Sequence, residues 1–155
     1  MRVEYINPFV DAAFSVLKEY LGPDVHRGEL YLKPTTVPVM GVAVLVGLAG
    51  DVEGRILFDM SRKTAIAVAG AMNGEVFTEL DEMAKATIQE LANMITAQAV
   101  TKLHNLGFKF DLTPPALFTG DNMEVSNAQV EALIVPMELG PHGKIEINVA
   151  VRERS

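Results

Sequence analysis

The order of structural signals in this chain occurs twice. Over roughly residues 7 to 59 and again over 78 to 151, a helical pattern leads into a proline-bearing loop, a strand, a second strand, a tight glycine turn and a third strand. The first copy runs through GELYLKP and VMGVAVLVGLAG to the turn Gly50-Asp51-Val52-Glu53-Gly54 and then RILFDM. The second runs through Thr113-Pro114-Pro115, ALF and VEALIVPMEL to the turn Gly140-Pro141-His142-Gly143 and then GKIEINVAV. Strands joined by glycine turns favour antiparallel pairing, and helices interspersed with them must bury one face on the sheet. The expected class is therefore α+β, helices packed on a mainly antiparallel sheet, with an internal α-β-β-β duplication suggested. The repeat is one of order rather than of letters, since FSVLKEYLG and AVTKLHNLG share only a rough pattern.

The helix boundaries follow from capping chemistry. Asn7-Pro8 offers a capping side chain followed by proline at a first helical position, and Gly22 closes a helix of about 14 residues after VDAAFSVLKEYL. Ser61 can cap KTAIAVAGAM, which ends at Asn73-Gly74. Thr78 is expected to cap a third helix, with Asp81 as a capping-box variant and Glu79 and Glu82 favoured by the dipole in the first turn. Lys102 and His104 fall in its last turn and Gly107 follows, giving a helix on the order of 40 Å.

Composition narrows the function classes. A chain of 155 residues fits a single domain, 1–155, that buries roughly two thirds of the surface its unfolded form exposes. The net charge is −7 and the 13 basic residues are scattered, which argues against nucleic acid and anionic membrane as partners. There are no cysteines, so neither a disulfide framework nor thiol chemistry is available. The longest uncharged run, Pro34 to Gly50, is 17 residues but is interrupted by Pro38, Gly41 and Gly47, and reads as buried strand. MRVEYINPF carries no apolar core of a signal peptide, so a cytoplasmic location is expected.

The third helix holds the most informative residues. Counting 100° per residue from Glu90, the apolar stripe Ala84, Ile88, Leu91, Ile95 and Ala99 falls on the opposite side, where it would pack on the sheet. Asn93 lies about 60° from Glu90, and Ala86 and Ala97 sit one turn before and after the pair on the same strip. A carboxylate and a carboxamide thus stand together on the outward face, bracketed by alanines short enough to let another protein approach both. Such a pair is also what an ordinary solvated helix face carries, so pattern alone leaves both readings open.

The run LDEMAKATIQELANM, followed by a helix end and TPP, resembles the CheC/CheX/FliY family of chemotaxis phosphatases. Its motif is a glutamate, an asparagine three positions later and a proline about 22 positions after that, here Glu90, Asn93 and Pro115. The resemblance covers most of the chain, including GDVEGRILF at Gly50 to Phe58. The first helix has no such pair, and a single pair resembles the CheX type, whereas CheC-type members tend to carry two. One position departs: the family commonly has aspartate or serine four residues before the glutamate, and here it is Ala86. The resemblance therefore does not carry a secondary polar contact with the partner over to position 86, while it leaves the two central roles in place.

The resemblance implies a phosphatase that hydrolyses the aspartyl phosphate of the response regulator CheY. Asn93 would orient the attacking water and Glu90 would pair with the regulator's active-site lysine, while Ala86, Ala97 and Pro115 border the partner. No cofactor of the chain's own is implied; Mg²⁺ is expected in the phosphorylated regulator. The resemblance further implies a homodimer through sheet edges, for which VEALIVPMEL is an exposed-strand candidate. A second reading keeps the same helix as a non-catalytic docking module for a response regulator or flagellar switch, and Ala86 is the feature that favours it.

Other chemistry is thin. His26, His104 and His142 lack metal-ligand spacing, so no metal site is expected. Gly47, Gly50 and Gly54 precede no GK[ST], and Ser61 and Ser126 lack a G-x-S-x-G setting.

Overall fold

The computed structural model describes residues 3–33, 36–126 and 132–153. In chain order its elements are α1 (Val3–Leu21), β1 (His26–Arg27), β2 (Tyr31–Lys33), β3 (Thr36–Pro38), β4 (Gly41–Gly50) and β5 (Val52–Ser61). There follow α2 (Arg62–Asn73), α3 (Glu82–Asn105), β6 (Phe110–Leu112), β7 (Ala116–Thr119), β8 (Glu124–Ser126), β9 (Ala132–Glu138) and β10 (Lys144–Glu153). Among the described residues three α-helices lie on an antiparallel sheet in the order β1-β9-β10-β5-β4-β6, with β2 also on β9 and β7 also on β4. β3 and β8 pair separately as a two-stranded ribbon.

The repeated order is visible as an exchange. The long strands β5 and β10 pair with each other at the centre, from Ile145 opposite Met60 to Glu153 opposite Val52. Each half lends its short strands to the other half's hairpin: β1 and β2 pair with β9, and β6 and β7 pair with β4. Gly28 N–H donates to Pro136 O at 2.8 Å and, at the matching place across the sheet, Thr113 N–H donates to Gly47 O at 3.0 Å. α2 is the element without a counterpart in the second half of the described residues.

The core lies between the helices and one face of this sheet. Val42, Val44, Val46, Ile56, Phe58, Ile145, Ile147 and Val149 point into it and meet Phe9, Val16 and Leu17 of α1 and Ile88, Leu91, Ile95 and Leu103 of α3. Each such side chain, fully buried, stabilises by roughly 1.5–3 kcal/mol. The opposite face is also largely covered, with Ala43, Leu57, Ile134 and Asn148 buried. Burial on both faces explains why β4 reads as a near-continuous apolar run rather than an alternating one. Gly54 in β5 is obligatory, because it has φ 138° and a Cβ there would meet Ala150 O of β10 at 2.0 Å.

Three expectations are corrected. α1 begins at Val3, not at Asn7, and is 19 residues long with Pro8 inside it. Pro8 forfeits one hydrogen bond in the second turn, but Ile6 is only 6% exposed and packs in the core, so burial carries the helix upstream. The third helix is capped by Asp81, whose carboxylate accepts from Ala84 N–H at 2.8 Å, and not by Thr78. Finally, β9 is not an exposed edge: it lies between β10 and the β1/β2 pair, with Ala132, Ile134, Val135 and Met137 buried. Pro34, and Val130 and Glu131 of the expected strand, lie outside the described residues. The remaining helix matches expectation, with Ser61 Oγ accepting from Thr64 N–H at 3.1 Å and Gly74 closing it in the left-handed region.

Candidate functional site

α3 is a 24-residue helix held firmly along one side. Ala84, Ile88, Leu91, Ala92, Ile95, Thr96, Ala99, Val100 and Leu103 are buried. Even the polar member of this stripe is satisfied internally, Thr96 Oγ1 donating to Ala92 O at 2.7 Å. Glu82 in the first turn and Lys102 and His104 in the last complement the helix dipole.

The opposite strip is open. Ala86, Glu90, Asn93 and Ala97 are all exposed, and Met83, 57% exposed, continues the strip toward the helix N-terminus. Among the described residues the side chains of Glu90 and Asn93 carry no hydrogen bond or ion pair, their backbones being bonded within the helix. The two polar groups therefore remain available to an incoming surface at no cost in internal contacts.

Two walls flank the strip. On the side of Met94 and Thr87, about 40° and 60° round the helix from Glu90, lie the other helices. Tyr20 of α1 directs its hydroxyl at Met94 Sδ, 3.7 Å away, and Asn73 of α2 donates through Nδ2 to Thr87 Oγ1 at 2.8 Å. On the side of Asn93 lies the loop Thr113-Pro114-Pro115. Gln89, about 100° from Glu90 in the direction of Asn93, donates through Nε2 to Pro115 O at 3.2 Å. The start of that loop is fixed to β4 by two bonds, Thr113 N–H to Gly47 O and Gly47 N–H to Thr113 Oγ1 at 2.8 Å. A Cβ at position 47 would press on Thr113 Cγ2 at 3.1 Å, so glycine there lets the loop sit close.

The structure thus brings Glu90, Asn93, Ala86 and Ala97 onto one strip and sets half-buried Pro115 beside it. Gln89 is the member that residue patterns did not single out. Its signal was its position, a long amide at the border between the buried stripe and the open strip. The other candidates have structural roles: Ser61 is a helix cap, His104 packs against the Phe110 ring with centroids 5.1 Å apart, and His142 Nδ1 lies 3.2 Å from Leu139 O. Among the described residues no group of three or more His, Cys, Asp or Glu is placed to hold a metal ion. No described helix is long and apolar enough to cross a membrane.

A family model described as chemotaxis phosphatase CheX matches residues 42–138, a stretch that holds α3 and the proline loop. CheY-P phosphatase CheX of Thermotoga maritima is 27% identical over 157 residues, covering 98% of each chain. Among solved structures, a chain of the CheX–CheY–BeF3–Mg²⁺ complex from Borrelia burgdorferi is 46% identical with a TM-score of 0.86, covering 98% of this chain and 100% of that one. A CheC-like superfamily protein from Shewanella sp. PV-4 has the same TM-score at 26% identity, covering 98% and 99%.

Proposed function

This chain belongs to the CheX chemotaxis phosphatase family, and from that premise we propose that it hydrolyses the aspartyl phosphate of a CheY-like response regulator, using Glu90 and Asn93. The observation that carries the assignment of residues is the shared, unpartnered exposure of Glu90 and Asn93 on one strip of a rigid helix.

The reaction asks little of this chain beyond placement. Water attacks phosphorus, the bond to the aspartate oxygen breaks, and the products are a free carboxylate and inorganic phosphate. Phosphoryl transfer through a loose transition state depends mainly on in-line geometry and charge placement. The regulator supplies the phosphoryl group and the Mg²⁺ that neutralises its oxygens, in keeping with the Borrelia assembly of CheX with CheY, BeF3 and Mg²⁺. Asn93 enters that pocket and holds the water in line through its carboxamide, which accepts and donates at once and does not titrate. Glu90, one turn away, pairs with a lysine of the regulator and fixes the depth of docking. Ala86 and Ala97 keep the approach clear, and Pro115 borders it. We further infer a homodimer acting in the cytoplasm on chemotaxis signalling.

Release of inorganic phosphate from a phosphorylated CheY-like regulator, with and without this protein, tests the reading. Acceleration is expected, and Asn93→Ala should lower it by about 10²–10³-fold, as loss of one positioning amide does elsewhere. Binding of the BeF3-loaded regulator should survive in that variant. An Asn93→Ala protein as fast as the parent would sink the mechanism, and a parent that binds without accelerating release would leave a docking module.

A further inference from the structure

We propose that Gln89 is a positioning residue for this reaction: by tying the Pro115 carbonyl to α3, it holds the Thr113–Pro115 loop as the wall against which the phosphorylated regulator seats. The inference rests on the phosphatase reading above and adds a residue to it.

The loop has few ways of holding itself. Pro114 and Pro115 have no N–H, so neither can donate to a neighbouring element. Its start is pinned to β4 by the Thr113 bonds, and its end enters β7, where Ala116 sits opposite Leu45. Both anchors lie on the sheet. Gln89 Nε2 is the described donor that reaches the loop from the helix, over 26 residues of sequence, at 3.2 Å. Because Gln89 immediately precedes Glu90 and lies on the Asn93 side of the strip, a displacement of this loop changes the gap beside the asparagine. An error of about 1 Å in that gap misaligns a surface that must dock to within hydrogen-bond distance.

The amide is suited to the task because it donates without charge. A glutamate there would present an acceptor to the Pro115 carbonyl and drive the two apart. A lysine retains a donor and enough reach.

The test is steady-state phosphate release together with affinity for the BeF3- and Mg²⁺-loaded regulator, for the parent, Gln89→Glu and Gln89→Lys. Gln89→Glu should raise both KM and Kd by about three- to tenfold, with the loss falling on KM rather than kcat. Gln89→Lys should recover most of that loss. Urea unfolding of each variant separates docking from folding. The proposal is overturned if Gln89→Glu binds as tightly as the parent, if its loss falls on kcat, or if Gln89→Lys is no better than Gln89→Glu. A parent that neither binds nor releases phosphate overturns the phosphatase reading and this one with it, whereas an active parent indifferent to Gln89→Glu overturns this one alone.

Discussion

α1 and α3 occupy matching places in the two halves of the fold, yet one carries a candidate site and the other does not. Their buried stripes superimpose in sequence: Pro8, Phe9, Ala12, Ala13, Val16 and Leu17 of α1 correspond in burial to Leu91, Ala92, Ile95, Thr96, Ala99 and Val100 of α3. With the buried faces so aligned, Asn7 stands where Glu90 does, Val10 where Asn93 does, and Ile6 where Gln89 does. The loop before β2, Gly28-Glu29-Leu30, replaces Thr113-Pro114-Pro115 before β7, although both begin with the same kind of bond to the facing hairpin. The packing side of the repeat is thus kept, while the outward side differs at every position the proposed chemistry uses. A face that holds the fold together is constrained by its neighbours in both halves; a face that meets another protein is constrained only where that protein docks.

The strongest way to test the shared part is to truncate it in both helices. Leu17→Ala in α1 and Leu91→Ala in α3 should each lower stability by about 2–5 kcal/mol in urea unfolding, since both side chains are almost fully buried. A small effect in one helix alone would mean the two stripes do not carry the fold equally. A milder change sharpens the same point at a helix end. Asp81→Ala removes the acceptor of the Ala84 N–H and should cost about 1 kcal/mol of stability while Glu90 and Asn93, more than two turns away, keep their activity. Loss of phosphate release without loss of stability in that variant would contradict the picture of a helix fixed by its buried side.

What was legible in the residues was local or periodic. The 100° count separated the buried stripe of α3 from the strip of Glu90 and Asn93, and the structure keeps that division. Glycine turns and apolar runs predicted β2, β4, β5, β7, β9 and β10 but not the short strands β1, β3, β6 and β8, and the repeated order foreshadowed the two halves. The exchange of short strands between halves was not legible, because pairing β2 with β9 or β7 with β4 joins residues that share no local signal. Capping rules chose Thr78, with Asp81 as its capping-box partner, whereas Asp81 itself is the cap, three residues further on. At Asn7-Pro8 they failed because the burial of Ile6 is a tertiary fact. The roles of Glu90 and Asn93 were never in the pattern, since exposed glutamate and asparagine are ordinary; the family resemblance raised them. Gln89 was hidden for another reason, because its partner is a carbonyl in a distant loop.

The smallest expected effect is the most discriminating. In an Asn93→Ala background, Asn7→Glu with Val10→Asn would place a carboxylate and a carboxamide on α1 at the same spacing as on α3. If an acid and an amide three positions apart were enough, this variant would regain activity. It should not: Val10 is half-buried against the core, so an asparagine there is drawn partly inward, and Ile6 offers no donor to hold a facing loop. Phosphate release should stay within about twofold of the Asn93→Ala level, while recovery of a tenth of the parent's rate would show that the strip alone suffices. Adding Ile6→Gln addresses the remaining difference, but Ile6 is a core residue, so the gain in polarity is offset by lost packing and an unsatisfied amide. The two helices therefore differ by more than two side chains: the position that supplies the loop-holding donor in α3 is committed to the interior in α1.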